Sequence, residues 1–249
     1  MATRPDLRGE WTQLAPAWIR YSREGANASR AGLLDRPMID ACGEVRGLKA
    51  LDCGCGEGRF CRMLLDRGAA QVLGVDLCPP MIVAAAQLAT GKDDYLVADA
   101  QEMGFLRDST FDLAVSYLNQ CDLPDFEANT REVFRVLKPG GRFVVANVHP
   151  MRSAVGEWSR TEQGAKLHVI LDRYFEESER RWKMLGCDFT NFHRTLSTYI
   201  RAYRRAGFAI EDIIEPTVGS ENLERFPELD DERRVPNFVV VVLVKSPEA

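Results

Sequence analysis

Leu51-Asp52-Cys53-Gly54-Cys55-Gly56-Glu57-Gly58-Arg59-Phe60 decides how this chain is read. An apolar run ends in a turn with glycine at every second position, and a segment of helical period follows. Such glycines let the backbone turn tightly and approach a ligand closely, while the helix N-terminus beyond them offers unpaired N–H groups. The turn therefore predicts a bound molecule with polar or anionic groups. A dinucleotide site would read G-x-G-x-x-G with an acid about 20 residues on. Here the spacing is G-x-G-x-G, and Arg59 stands where the third dinucleotide glycine would be. The acid is nevertheless present as Asp76, closing the next apolar run, where a carboxylate can accept hydrogen bonds from both ribose hydroxyls. A nucleoside without a pyrophosphate is implied.

Working outward, apolar runs at residues 50–53, 71–75, 95–98, 111–117 and 142–148 alternate with helical segments. Runs this continuously apolar are strands covered on both faces, as in a doubly wound parallel sheet. Phe126, Thr130, Val133, Phe134 and Leu137 recur at helical spacing, and Lys138-Pro139-Gly140-Gly141 ends that crossover helix. Leu196, Tyr199, Ile200 and Tyr203 form a second apolar stripe after a Thr195 cap, with Gly207 as its left-handed terminus. Residues 210–214 and 238–244 read as two more strands. Upstream, residues 11–42 read as two helices lying across the top of the sheet, the second starting near Asp35 with Pro37 in its first turn. Residues 151–191 show no clear period, mix Trp158, Tyr174, Phe175 and Trp182 with many charges, and far exceed an ordinary strand-to-helix connector.

The whole sequence, 249 residues with 45% hydrophobic and 28% charged, suits one substantial core. No apolar run reaches the ~20 residues that span a bilayer and no signal peptide is legible, so the expectation is a cytoplasmic protein without a membrane partner. A formal net charge of -5 and the lack of any Lys/Arg block argue against a nucleic-acid partner. The 7 cysteines form no paired C-x-x-C, so they are read as reduced thiols rather than a disulfide scaffold or zinc site. The runs at 176–181 and 230–234 alternate in sign and read as solvated faces.

The chain resembles the class I methyltransferases that use S-adenosylmethionine, and the likeness rests on a set of motifs. LDCGCGEG is similar to their first motif, GVDLCPPMI (74–82) to their ribose-binding strand end, and VADAQ (97–101) to their adenine-contacting stretch. FDLAVS (111–116) and EVFRVLKPGGRF (132–143) resemble the fourth strand and the helix, turn and fifth strand after it. The likeness is strong over residues 48–148 and looser over 192–245. It implies a Rossmann-like α/β fold: a doubly wound, seven-stranded, mostly parallel sheet with an antiparallel last strand, an N-terminal helical cap and an insertion after strand 5. As a single domain, residues 1–45 would be the cap, 46–149 the cofactor-binding core, 150–192 a substrate lid, and 193–249 the last helix and strands.

The resemblance also implies the cofactor contacts. Asp52 and the backbone of Gly54, Cys55, Gly56 and Gly58 would hold the methionine end, and Asp76 the ribose. Leu77 and Met81 would flank the adenine, with Asp99, Ala100 and Gln101 at its edge, and Tyr117 and Leu118 would lie near the sulfonium. S-adenosylhomocysteine would be the product. After the fourth strand, Tyr117-Leu118-Asn119-Gln120-Cys121-Asp122 lacks the Asn-Pro-Pro-Tyr element of enzymes that methylate adenine or glutamine amino groups. It also lacks the Pro-Cys of RNA cytosine enzymes and the acid cluster of the catechol type, so no metal is expected.

Methyl transfer from a sulfonium is an in-line displacement, dominated by positioning and exclusion of water, with a base needed only if the nucleophile keeps a proton. His149, beyond the fifth strand, and His193, before the penultimate helix, are the base candidates, whereas His168 reads as a hairpin or surface residue. Tyr21 in the cap is a further contact candidate, and Trp11, Trp18, Phe175 and Trp182 would wall an apolar pocket and stabilise positive charge. The expected acceptor is a small, fairly apolar molecule of quinone or secondary-metabolite type, methylated on O or N, with C-methylation next. An NAD(P)-dependent oxidoreductase and a non-catalytic S-adenosylmethionine-binding module stay open, as does a homo-oligomer through exchange of the N-terminal segment.

Overall fold

The structure is a computed structural model that describes residues 5–25 and 27–247. Residues 1–4 of the expected cap, Ala26, and residues 248–249 of the expected C-terminal segment lie outside the described residues. The elements run α1 (Leu7–Arg23), a π-helical turn (Ser29–Leu34), α2 (Asp35–Ala41), β1 (Lys49–Cys53), α3 (Arg59–Asp66), β2 (Gln71–Asp76), α4 (Pro79–Ala86), β3 (Asp93–Val97) and β4 (Phe111–Tyr117). Then follow α5 (Phe126–Val136), β5 (Leu137–Val148), α6 (Pro150–Ser153), β6 (Val155–Arg160), β7 (Lys166–Asp172), β8 (Ser178–Met184), β9 (Cys187–His193), α7 (Leu196–Arg205), β10 (Phe208–Ile214), α8 (Ser220–Arg225) and β11 (Phe238–Lys245).

One 7-stranded sheet has the order β10-β11-β5-β4-β1-β2-β3. β1 pairs in parallel with β2 and β4, β2 with β3, and β4 with β5, whereas β11 runs antiparallel to both β5 and β10. The strand order reverses between β1 and β4, and in open α/β sheets that reversal opens a crevice at the carboxyl ends of the strands. The strand-by-strand alternation feeds two cores. Ala50, Val72, Leu113, Val144 and Val242 pack on one face with Met38 and Ile39 of α2 and Phe60 and Leu64 of α3. Leu51, Val75, Ala114, Phe143 and Val241 pack on the other with Phe126 and Val133 of α5 and Tyr199 and Tyr203 of α7. The Thr195 hydroxyl caps α7 through the Thr198 N–H, and Gly207 follows at φ 104°.

Three features depart from the sequence reading. α2 is a layer of the sheet's core rather than part of a roof, because Leu34, Met38 and Ile39 face the apolar strands. Only α1 lies over the crevice, held by Leu14, Ala15 and Trp18 packed on Cys78 and Met81; each large apolar side chain buried this way contributes about 1.5–3 kcal/mol. The Lys138-Pro139-Gly140-Gly141 stretch opens β5 instead of forming a separate turn, with a register irregularity opposite Phe111 and Leu113. The aperiodic stretch after β5 is two antiparallel hairpins, β6–β7 and β8–β9, and His168 sits on β7 opposite Ser159. Among the described residues no helix is long and apolar enough to cross a membrane.

Candidate active site

Two adjoining cavities open at the carboxyl edge of the sheet. The first encloses about 930 Å³, partly open to solvent, among Asp52, the Gly54–Glu57 turn, Asp76, Met81, Ala100 and Tyr117, under Trp11 and Trp18 of α1. The second, about 1200 Å³ and likewise partly open, lies between Tyr21 of α1, Trp182, Met184 and Phe189 of the β8–β9 hairpin, and Glu232 and Asn237 ahead of β11. Trp11, Trp18, Arg30, Leu118 and Asp122 border both.

The turn after β1 is forced by its glycines. Gly54, at φ 76°, sits so close to Asn119 that a Cβ would lie 2.3 Å from its Cγ. Gly56, at φ 55°, would meet nothing within 4 Å, so it faces open space in the cavity wall. Asp76 is fixed by the same turn: its Oδ2 accepts the Gly56 N–H at 2.8 Å and its Oδ1 the Cys78 N–H at 2.8 Å. Burial raises its pKa, and those two backbone bonds lower it. The carboxylate is thereby aimed before any ligand arrives.

Asp52 is buried at the end of β1, where its Oδ2 accepts from the Cys61 thiol at 3.3 Å. Burial pushes its pKa up to about 7, against the Cys61 hydrogen bond. Its Oδ1 and the Asn119 Nδ2 are buried without partners. An orphaned acceptor and an orphaned donor in one wall suit a zwitterion with an ammonium and a carboxylate.

Arg59, in the place of the third dinucleotide glycine, forms a two-pronged pair with Asp35, which also accepts the Tyr117 hydroxyl at 2.9 Å. The residue that breaks the dinucleotide pattern thus clips the turn to the start of α2 and fixes the Tyr117 ring. Glu57 pairs with Arg62 at 2.7 Å and lies 3.6 Å from Arg23, whose guanidinium also donates to the Ala84 carbonyl at 2.8 Å. These contacts tie the end of α1 to the turn and to α4.

Of the cofactor residues expected from sequence, Asp52, Gly54, Cys55, Gly56, Asp76, Leu77, Met81, Ala100, Tyr117 and Leu118 line the first cavity. Gly58 supports it from behind, since a Cβ there would lie 2.5 Å from the Tyr95 hydroxyl. Asp99 and Gln101 are not in its wall. The Asp99 carboxylate accepts from the Gln101 backbone at 2.8 Å and from its side-chain amide at 2.9 Å, while the Gln101 side-chain Oε1 accepts the Asp125 N–H at 2.9 Å. Leu118 holds φ 58°, unusual for a branched aliphatic residue, where the two cavities meet.

The expected bases are placed elsewhere. His193 is buried with Nδ1 2.8 Å from the Ser153 hydroxyl and Nε2 2.9 Å from the Tyr174 carbonyl. His149 caps α6, its Nδ1 accepting the Met151 N–H at 3.1 Å, with Nε2 3.1 Å from Glu215. Neither histidine borders either cavity, and burial lowers the pKa of both. Tyr21 lines the second cavity and not the first, 6.1 Å from the Trp18 ring. Trp11, Trp18 and Trp182 are in the walls, but Phe175 is 86% exposed and borders neither cavity.

Sequence reading did not find Arg30, Asn119, Glu57 or Asp122 as wall residues. Arg30 projects from the π-helical turn, its guanidinium 5.0 Å from the Trp18 ring and 4.7 Å from the Tyr117 ring. π-Helical turns recur at functional sites, but no local pattern here announces one.

Fold and site together define a Rossmann-like architecture with a nucleoside-type cavity and a second, partly open chamber beside it. Residues 51–145 match the family model described as "Methyltransferase domain". A solved S-adenosylmethionine-dependent methyltransferase from Mesorhizobium loti is 32% identical with a TM-score of 0.78, the superposition covering 88% of this chain and 99% of that one. The chain belongs to the S-adenosylmethionine-dependent methyltransferases, and S-adenosylmethionine is its methyl donor. Demethylmenaquinone methyltransferase of Thermus thermophilus is 34% identical over 119 residues, 46% of this chain and 54% of the relative. Tocopherol O-methyltransferase of Arabidopsis thaliana is 33% identical over 114 residues, 44% of this chain and 32% of the relative. The chain thus spans about half the length of the first and a third of the second.

Proposed function

We propose that this protein transfers a methyl group from S-adenosylmethionine to a small acceptor held in the second cavity. The observation that carries this is the shared border: Trp11, Trp18, Arg30, Leu118 and Asp122 face both chambers, so molecules bound in each meet there. In the first cavity Asp52 and Asn119 suit the amino and carboxylate groups of the methionine end, Asp76 the ribose hydroxyls, and Leu77, Met81 and Ala100 the adenine. The bound donor supplies a methyl group on a sulfonium, already activated, whose sulfur leaves as a neutral thioether.

The chain's contribution is placement and exclusion of water. α1 and the β8–β9 hairpin roof the chamber, and Trp11, Trp18, Trp182 and Phe189 offer aromatic faces suited to a flat ring and to positive charge. The β6–β7 hairpin contributes Trp158 only to a separate cleft with Asp231 and Asn237. The substrate lid is accordingly α1 with β8–β9, a narrower set than residues 1–45 and 150–192. A quinone-like or secondary-metabolite acceptor fits this chamber, in line with the quinone and tocopherol named for two relatives. O- or N-methylation is the leading form and C-methylation the next, and we place the reaction in the cytoplasm.

Calorimetric titration with S-adenosylmethionine and S-adenosylhomocysteine tests the first half of this reading. Incubation with the donor and a panel of small aromatic acceptors, following S-adenosylhomocysteine release, tests the second. Binding to wild type that Trp182→Ala leaves intact, with turnover lost in that variant, is the expected result. No donor binding to the folded protein would refute the reading.

A further inference from the structure

Among the described residues Asp122 is the one carboxylate that borders both cavities, since Asp52, Glu57 and Asp76 border only the first and Glu232 only the second. It is 8% exposed and sits in a short 3-10 turn, Gln120–Asp122, just beyond β4. Its surroundings fix one oxygen and leave the other open. Oδ1 accepts from the Asn191 amide at 2.8 Å and from the Cys121 thiol at 3.7 Å. Oδ2 has no partner among the described residues, although the residue lines the junction.

The turn itself is held rigid. Arg194 donates to the carbonyls of Gln120, Leu123 and Pro124, and the buried Gln120 amide donates to Asn129 and Thr130 while its oxygen accepts the Tyr203 hydroxyl. Such scaffolding around a carboxylate with one free oxygen exceeds what a connector needs.

Among the described residues no other group at the junction can take a proton there. The Tyr117 hydroxyl donates to Asp35, the Cys121 thiol is pushed up to about 12 by burial, and both histidines are committed outside the cavities. We propose that Asp122 is the proton acceptor of the methyl transfer, so that the natural acceptor presents an O–H or N–H nucleophile at this junction. This rests on the methyltransferase reading above. In the step, the nucleophilic atom forms a bond to the methyl carbon as the carbon–sulfur bond breaks. The bonding pair leaves with sulfur, the sulfonium charge is discharged, and the acceptor's proton passes to Asp122 Oδ2, neutralising the carboxylate.

The charge environment suits that task. Burial pushes the Asp122 pKa up to about 7, Asp76 across the first cavity adds to this, and the Asn191 and Cys121 hydrogen bonds and the Arg30 charge oppose it. Arg194 lies behind the turn, and Arg152 and Glu232 face the second cavity from its other walls. A base poised near neutrality combines adequate ionisation with a real gain on accepting a proton.

The test uses proton linkage, which does not require knowledge of the natural acceptor. Donor and product differ at the reacting centre by a positive charge, which should ionise a nearby half-protonated Asp122. Binding enthalpies measured at pH 7 in buffers of different ionisation enthalpy should show S-adenosylmethionine releasing about half a proton more than S-adenosylhomocysteine, given a pKa near 7. Asp52 also lies near neutrality, but the amino group it would face is common to both ligands, so its contribution cancels. Asp122→Asn should abolish the difference while binding S-adenosylhomocysteine within about threefold of wild type, and Asp122→Glu should restore it.

A panel of phenols, anilines and carbon nucleophiles, followed by S-adenosylhomocysteine release, reads the chemistry. Turnover of phenols or anilines with an acid limb below pH 7, because the bound sulfonium lowers the Asp122 pKa, and loss of that limb in Asp122→Asn are expected. An equal proton count for both ligands in wild type overturns the proposal, as does a difference that survives in Asp122→Asn or turnover confined to carbon nucleophiles. If nothing in the panel reacts, the proton difference decides. Failure of wild type to bind either ligand would instead indict the methyltransferase reading.

Discussion

Replacing Asp76 by alanine tests the site most directly, because its two oxygens are already bonded to backbone N–H groups, 2.8 Å from Gly56 and 2.8 Å from Cys78. Each oxygen retains lone-pair capacity for a ribose hydroxyl. A hydrogen bond to a charged group contributes about 1.5–3 kcal/mol net. Two such bonds, reduced because water reaches the site in the variant, come to about 2–4 kcal/mol, or roughly 30- to 1000-fold in Kd for S-adenosylhomocysteine. The substitution also leaves two N–H groups without their carboxylate, so part of the loss could arise in the turn. A cycle separates these effects. The 2′-deoxy analogue should bind wild type at least about tenfold more weakly than S-adenosylhomocysteine, whereas Asp76→Ala should bind the two alike. Calorimetry on folded protein supplies all four constants. Additive losses, or a variant within about threefold of wild type, would show that Asp76 serves only the turn.

Gly54→Ala should lower thermal stability as well as ligand affinity, since it combines φ 76° with a Cβ 2.3 Å from Asn119. A cost of about 1–3 kcal/mol is expected. Gly56→Ala, with φ 55° but no neighbour within 4 Å, should cost less in Tm and at least as much in binding. His149 and His193 are both held below their ordinary pKa by burial. The unfolded chain therefore takes up protons first as pH falls. Their contribution to stability is complete above about pH 6.5 and declines below it, as urea midpoints between pH 5 and 8 would show, with a shallower acid slope in His193→Gln. Asp52 has the opposite sign: with its pKa raised from 3.8 to about 7, its contribution to the stability of the ligand-free protein is lost as pH rises between those values, and the loss is complete above about pH 7. Asp52→Asn should raise the ligand-free Tm at pH 8 while weakening donor binding. Phe175→Ala, at a side chain 86% exposed and outside both cavities, should leave Tm and S-adenosylhomocysteine affinity unchanged.

The central sheet was legible because its strands are buried on both faces, and predominantly apolar runs such as Phe111–Tyr117 and Phe238–Lys245 are what such burial demands. The glycine turn and Asp76 were legible because backbone geometry and ribose recognition are local demands. The β8–β9 hairpin was not. Its cavity-facing Trp182 and Met184 alternate with Arg181 and Lys183, and so many charges hide the period of two. Asp99 matched a motif position, and only the structure shows its carboxylate accepting from the Gln101 amide two residues away, with Asp99 outside the wall of the first cavity. His149 and His193 occupied the expected edge of the sheet, and only their neighbours Met151, Glu215, Ser153 and Tyr174 show that they face away from both cavities. Asp122 meets Asn191 across 69 residues of chain, a proximity no local pattern encodes.

The roof helix α1 is latched at both ends. Arg23 reaches Glu57 and the Ala84 carbonyl at one end, and at the other Glu10 accepts from the Thr190 N–H at 2.7 Å and pairs with Arg181 of the hairpin. Because Trp11 and Trp18 border both chambers, a movement of this one helix reshapes both at once. On the proposed reading, chemistry and traffic share a gate. The rate constant for S-adenosylhomocysteine release in stopped-flow displacement should then rise with ionic strength as the latching charges are screened.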